Sequence, residues 1–154
     1  MNDKNNIVGD IILKFNEVEF YLKHIMIKYL NPKKEQERFY SQILFNNSII
    51  NFNSKIKLFK NINFDEKWIE SKDLRNLIDD IHYLNNIRNS LAHAQNAVEL
   101  EKDEVGEIKN IYQIIDFFKP NGEFNILRLN EVYIKFNEKH KKVKTILLKI
   151  HKKM

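Results

Sequence analysis

Arg88, Asn89 and His93 are the residues of this chain whose types and spacing are best suited to chemistry. Histidine, with an unperturbed pKa of about 6.5, gives or takes a proton near neutrality. Arginine stays charged and offers a fork of donors that matches phosphate oxygens. Both lie in Ile87-Arg88-Asn89-Ser90-Leu91-Ala92-His93-Ala94-Gln95, where polar groups interrupt the best apolar helix pattern of the sequence. Leu74, Leu77, Ile81 and Leu84 recur at helical spacing, and the same step runs through Arg88 to Leu91. A guanidinium therefore takes a place built for a hydrophobe, and such a charge needs a partner. His82, Asn85, Asn89 and His93 form a polar ridge along the neighbouring face. From Arg88 to His93 the helix turns by about 140°. The two reach one small ligand only if the helix ends or bends there, or if two copies of the chain meet.

Arg88, Asn89 and His93 fit the R-x4-6-H signature, and the wider wording Leu84-Asn85-Asn86-Ile87-Arg88-Asn89-Ser90-Leu91-Ala92-His93 resembles the "RNxLAH" form common in the HEPN superfamily. These are small helical proteins that include metal-independent ribonucleases, many of them toxins or parts of anti-phage defence. The resemblance covers roughly Ile7 to Leu100. It implies a metal-independent endoribonuclease in which His93 is the acid/base, Arg88 the phosphate clamp and Asn89 an orienter. Such cleavage needs the 2′-hydroxyl proton removed, the leaving oxygen protonated and the phosphorane's charge matched. One histidine does not supply both proton transfers, and the family's answer is a homodimer that brings two motifs together across a two-fold axis. Asn85, His82, Lys139 and Lys142 join Arg88 as expected RNA contacts. An antitoxin or regulatory protein is an expected partner. Some relatives controlled by adenylylation carry a tyrosine two positions after the histidine; here Gln95 stands there, which puts that control in doubt. The alternative is a non-catalytic module of the same type, a dimer that binds RNA, a nucleotide or a partner. In that case Arg88 and Asn89 cap the helix end or make a polar contact at the dimer seam.

Those residues need a scaffold. With 154 residues, 43% of them hydrophobic and 12% aromatic, the chain has the size of one ordinary domain, residues 1–154, and enough apolar matter for a core. The absence of cysteine excludes disulfides and thiolate zinc sites. Neither a signal peptide nor a run of membrane-spanning length is evident, so a soluble, cytoplasmic protein is expected. A formal charge of +5 suits a polyanionic partner but is modest for a dedicated nucleic-acid binder.

Helical periodicity predicts a first helix over about Asn6–Leu30 carrying Val8, Ile11, Phe15, Val18, Leu22, Ile25 and Tyr29, stopped by Asn31-Pro32. A second, about Lys34–Phe45, uses Phe39, Ile43 and Leu44 and yields at Asn46-Asn47-Ser48. Helix resumes near Asn53 with Ile56, Phe59 and Ile62 inside and Lys55, Lys57 and Lys60 toward solvent. Asp65 or Ser71 caps the helix that runs to His93, with Trp68 as a core anchor and Arg75 and Asp79 as an i,i+4 pair. Ala97–Glu107, with Gly106 as a breaker, reads as a loop or short extended piece. Ile108–Phe118 and Phe124–Leu129 read as a small hairpin about Pro120-Asn121-Gly122. A last helix spans about Asn130–His151, with Val132, Phe136, Val143, Leu147 and Ile150 inside and the basic cluster Lys139, Lys141, Lys142 and Lys144 outside. The fold expected is mainly α: an antiparallel bundle of about five helices with a small β-hairpin before the C-terminal helix.

The sequence lacks the phosphate-loop, dinucleotide, zinc-protease and nucleophile-elbow motifs, and with 3 glycines a phosphate-cradling loop is not expected. His24, His140 and His151 are isolated and read as surface or packing residues, and Asp79-Asp80 diverge on their helix. No metal and no cofactor is expected.

Overall fold

A run of apolar residues at helical spacing has to be covered along its whole length, and in this chain the longest such run belongs to the first helix. The computed structural model describes the backbone of residues 4–93, 97–102, 106, 108–118 and 124–154, and the side chains of residues 6–92, 106 and 128–154. Helix α1 spans Lys4–Leu30 and buries Ile7, Ile11, Phe15, Val18, Leu22, Ile25 and Met26. At its two ends Ile7 and Met26 are buried, Val8 is only partly buried, and Tyr29, in the last turn, is exposed. Asn31 ends the helix at φ 44°, its N–H donating to the Ile27 carbonyl at 3.0 Å, and Pro32 blocks any continuation.

The next segment departs from the expected α-helix. After a short 3-10 turn at Lys34–Gln36, residues Phe39–Leu44 form a π-helix whose i→i+5 bonding continues into Phe45 N–H to Tyr40 O, 3.0 Å. The wider turn points Tyr40, Leu44 and Phe45 inward, while Phe39 and Ile43, expected inside, are about half exposed. Helix α2, Phe52–Glu66, then starts on Asn51, whose side chain accepts from the Ser54 N–H at 2.9 Å. It ends at Lys67 in the left-handed region, φ 50°, so Asp65 closes α2 and does not cap the following helix. Ile56, Phe59 and Ile62 are buried as expected. Lys55 is not on the solvent side: it is 3% exposed, with its ammonium 2.6 Å from Asn47 Oδ1 and 3.6 Å from Glu19 Oε1. Helical spacing places it one residue before Ile56 on the same inward sector, and the Asn47–Glu19 hydrogen bond of 3.0 Å provides polar company there.

Helix α3, Ser71–His93, buries Leu77, Ile78, Ile81, Leu84, Ile87 and Leu91. It opens with Leu74 N–H donating to the Glu70 carbonyl at 2.8 Å. Arg75 and Asp79 both stand exposed, and it is Asp80 that forms an ion pair, with Lys139. Trp68, just before α3, is partly buried between Phe59 and Tyr29, each ring centroid 6.1 Å away.

Beyond α3, β1 (Ala97–Lys102), β2 (Ile108–Phe118) and β3 (Phe124–Arg128) make an antiparallel sheet in that order. Ala97 pairs with Ile114, and Phe118 with Phe124, so the expected hairpin gains a third strand from the segment read as loop or extended. Its proposed turn at Pro120-Asn121-Gly122 lies outside the described residues. Gly106 takes φ 87°, which fits its reading as a breaker.

Helix α4, Leu129–Lys153, buries Val132, Phe136, His140, Val143, Leu147 and Ile150. A ladder of polar contacts sets it against α1: Tyr133 to Asp10 at 2.8 Å, Lys14 to Asn137 at 2.6 Å, Lys144 to Glu17 at 3.0 Å and Lys28 to the His151 carbonyl at 3.0 Å. Residue numbers rise together along that ladder, so α1 and α4 run in the same direction. Asp80 with Lys139, and Tyr83 with Lys135, show α3 running antiparallel to α4. The result is a mainly α helical bundle with one apolar core shared by all four helices. Among the described residues, no helix is long and apolar enough to cross a membrane.

Removing one partner of a buried polar cluster strands the others. Lys55→Ala is expected to lower stability by about 2–3 kcal/mol, and Lys57→Ala on the exposed side to stay within about 0.5 kcal/mol. Urea unfolding midpoints of the two variants provide the comparison.

Candidate functional site

The buried positions of α3 fix its rotation, and with it the direction of each polar residue between them. Arg88 emerges partly buried, its Cζ 5.9 Å from the ring centroid of Phe15 and Nη1 donating to Asn89 Oδ1 at 3.0 Å. Phe15 is itself 1% exposed and packs on Phe52 at 5.0 Å, near the start of α2. The charge that interrupts the apolar pattern thus has two partners: an aromatic face that attracts the cation and an amide oxygen that orients it. Asn89 is exposed, and Ser90 turns its hydroxyl back to the Asn86 carbonyl at 2.8 Å.

Helix α3 runs to His93. Arg88 and His93 both lie within this helix, so the turn of about 140° between them stands. The His93 side chain and Gln95 lie outside the described residues. The apolar seam on either side of Arg88 is satisfied within the chain, since Leu84 is 0% and Leu91 7% exposed. The chain's own core covers the seam, so these leucines require no second copy to cover them.

His82 and Asn85 are partly exposed and Asn89 is exposed, which leaves these polar groups accessible along one side of α3. Asn76, which faces α4, is about 180° around the helix from Asn85. Lys139 and Lys142 belong to that opposite side. Lys139 is ion-paired with Asp80 and lies 5.2 Å from the Tyr83 ring centroid, while Lys142 lines a cleft between α3 and α4. Asp80 also precedes Arg88 by roughly 12 Å along the helix axis. Arg88, Asn89, Asn85 and His82 are thus carried on one helix, and the two expected lysine contacts are not brought to them.

Groups with shifted titration occur elsewhere. Burial holds the His140 imidazole below its ordinary pKa, against the opposing attraction of Glu17. The ring stacks on Phe136 at 6.4 Å, and its Nε2 is 3.2 Å from Glu17 Oε2, in a geometry too poor for a hydrogen bond. Burial also lowers Lys55, and it lowers His24, which packs 4.1 Å from Phe20. At Asp10 burial is outweighed by hydrogen bonds from Lys14 and Tyr133, and the carboxyl titrates below its usual range. The available signal was the helical phase: Lys55 and His140 each fall on an apolar stripe. Among the described residues no group of three or more His, Asp or Glu is placed to hold a metal ion.

A histidine held below its ordinary pKa binds its proton more readily in the unfolded chain. Its contribution to stability is complete above the unfolded value of 6.5 and declines as pH falls below it. Thermal melts between about pH 7 and pH 5 are expected to show falling stability, with a shallower slope in His140→Gln; the remaining slope includes His24. No family model, curated protein or solved structure matches this chain.

Proposed function

We propose that the chain is a metal-independent endoribonuclease of HEPN type, acting in the cytoplasm as a toxin or anti-phage effector. The observation that carries the reading is the placement of Arg88, ordered by Phe15 and Asn89 in the last turns of a helix that runs to His93. A guanidinium seated this way is preorganised to meet the charge of a phosphorane, which is where electrostatic catalysis is most effective. Histidine suits the proton transfers: one takes the proton from the 2′-hydroxyl, which attacks the phosphorus, and a second gives one to the departing 5′-oxygen. The products are a 2′,3′-cyclic phosphate and a 5′-hydroxyl, with no oxidant, metal or covalent enzyme intermediate required.

With one motif histidine per chain, two copies supply the acid and the base if their α3 ends meet across a two-fold axis. Since Leu84 and Leu91 are already covered, this homodimer rests on the chemistry and on the sequence resemblance. The same Arg88 contacts also favour a second reading, a non-catalytic dimer in which the arginine serves packing and RNA, nucleotide or partner binding. An antitoxin or regulatory partner is compatible with either reading.

Incubation of the pure protein with RNA distinguishes them. Cleavage is expected to leave 2′,3′-cyclic phosphate ends, to persist in EDTA and to fall with rising salt as phosphate contacts weaken. His93→Ala is expected to abolish it without loss of helix content, whereas equal cleavage by both proteins removes the catalytic assignment. For the composite site, wild type is mixed with increasing His93→Ala chains after dissociation and reassembly. Activity falling toward the square of the wild-type fraction means both histidines are needed; a linear fall, or full activity from a monomer in light scattering, sinks the shared site.

A further inference from the structure

A cleft of about 920 Å³ lies on the other side of α3 from the polar ridge, between α3 and α4. Trp68, Ile69 and Ile146 form its partly buried apolar lining, backed by the buried Leu77, Val143 and Ile150. Its two rims carry opposite charge. Asp73 and Asp79 stand exposed along α3, and Lys142, Lys149 and Lys153 stand exposed along α4. Among the described residues the cleft's one ion pair is Asp80 with Lys139, which spans it at one end. The other charges of the two rims have no ion-pair partner among the described residues.

We infer that this groove is a docking site for an amphipathic helix of a partner protein, one with an apolar stripe flanked by basic residues along one edge and acidic residues along the other. Charge complementarity selects that occupant. The basic rim extends roughly 16 Å from Lys142 to Lys153, and the acidic rim roughly 9 Å from Asp73 to Asp79. Charges repeated along two parallel rims match the flanks of a helix, as in coiled-coil pairing, whereas a small-molecule pocket gathers a few convergent polar groups. RNA is disfavoured because a phosphate backbone drawn to the lysine rim lies against carboxylates on the facing one. The surface is independent of Arg88 and His93, so it stands or falls apart from the nuclease reading.

The chain contains 1 tryptophan, and it lies in the groove, so Trp68 emission reports occupancy directly. The probes are three designed tryptophan-free helical peptides with the same apolar stripe: one with mixed flanks, one with acidic flanks and one with basic flanks. Wild type is expected to give a saturable change in Trp68 emission, with the mixed peptide binding at least about 10-fold tighter than either other. Asp73→Lys with Asp79→Lys is expected to shift the preference to the acidic peptide, and Lys142→Glu with Lys149→Glu to the basic one. All four positions are exposed, so the fold tolerates the changes, which circular dichroism checks. Equal affinity for the three peptides, or no change in emission, overturns the proposal. So does Trp68 emission that follows protein concentration alone, which marks a second copy in the groove. An RNA oligonucleotide that displaces the mixed peptide overturns it too, as evidence for a nucleic-acid surface.

Discussion

Phe15 is the contact on which both the fold and the motif depend. Its ring is sealed in the centre of α1's apolar stripe, touches Phe52 where α2 begins and presents a face to the guanidinium of Arg88 on α3. Three helices are therefore indexed to one aromatic side chain, and a buried phenylalanine of this kind is worth about 3–5 kcal/mol against truncation to alanine. The motif arginine is held by the same packing that closes the core. Among the described residues no carboxylate is paired with that cation, so its contacts are the ring and the Asn89 amide.

Much of the bundle was legible because it is written in periodicity. The stripe of α1, the stop at Asn31-Pro32, the buried face of α4 and the extent of α3 all follow from apolar spacing and from the backbone limits of proline. The π-helix at Phe39–Leu44 was not legible, because a period of 3.6 assigns Phe39 and Ile43 to a face that the wider turn rotates outward. Lys55 was misplaced for a different reason, while His140, read as a surface or packing residue, packs inside. A charged residue on an apolar stripe is assumed to swing out, but a long or flat side chain stays in when acceptors such as Glu19 and Asn47, or a ring such as Phe136, meet it there. At the site, the sequence marked Arg88 as a charge in an apolar place, and the ring it meets there is Phe15. Which chain covers Leu84 and Leu91 depends on tertiary packing, and periodicity alone carries no information about it.

The bundle also divides α3 into surfaces with separate tasks. One side carries Asn85 and Asn89 to solvent, another seats Arg88 on α1, and a third forms a wall of the cleft shared with α4. Because a single rigid helix links them, a partner that rotated α3 within the cleft would turn Arg88 against Phe15 as well. Coupling of that kind needs no contiguous wire between sites; it needs only that the helix have two packed orientations of similar energy.

The ladder joining α1 to α4 links residues 123 positions apart, as in Tyr133 with Asp10 and Lys14 with Asn137. During synthesis at about 5–20 residues per second, α1 emerges with its stripe uncovered and waits several seconds or more for the helix that completes it. Early folding of the first three helices cannot close that flank, so the bundle matures only after α4 is clear of the ribosome. A ribosome stalled before α4 would release a chain with a sticky, incomplete core, a substrate for chaperones and proteases. The order of elements along the chain thus acts as a timer: the motif on α3 is translated early, but the core it is built on is closed only by the helix that arrives last.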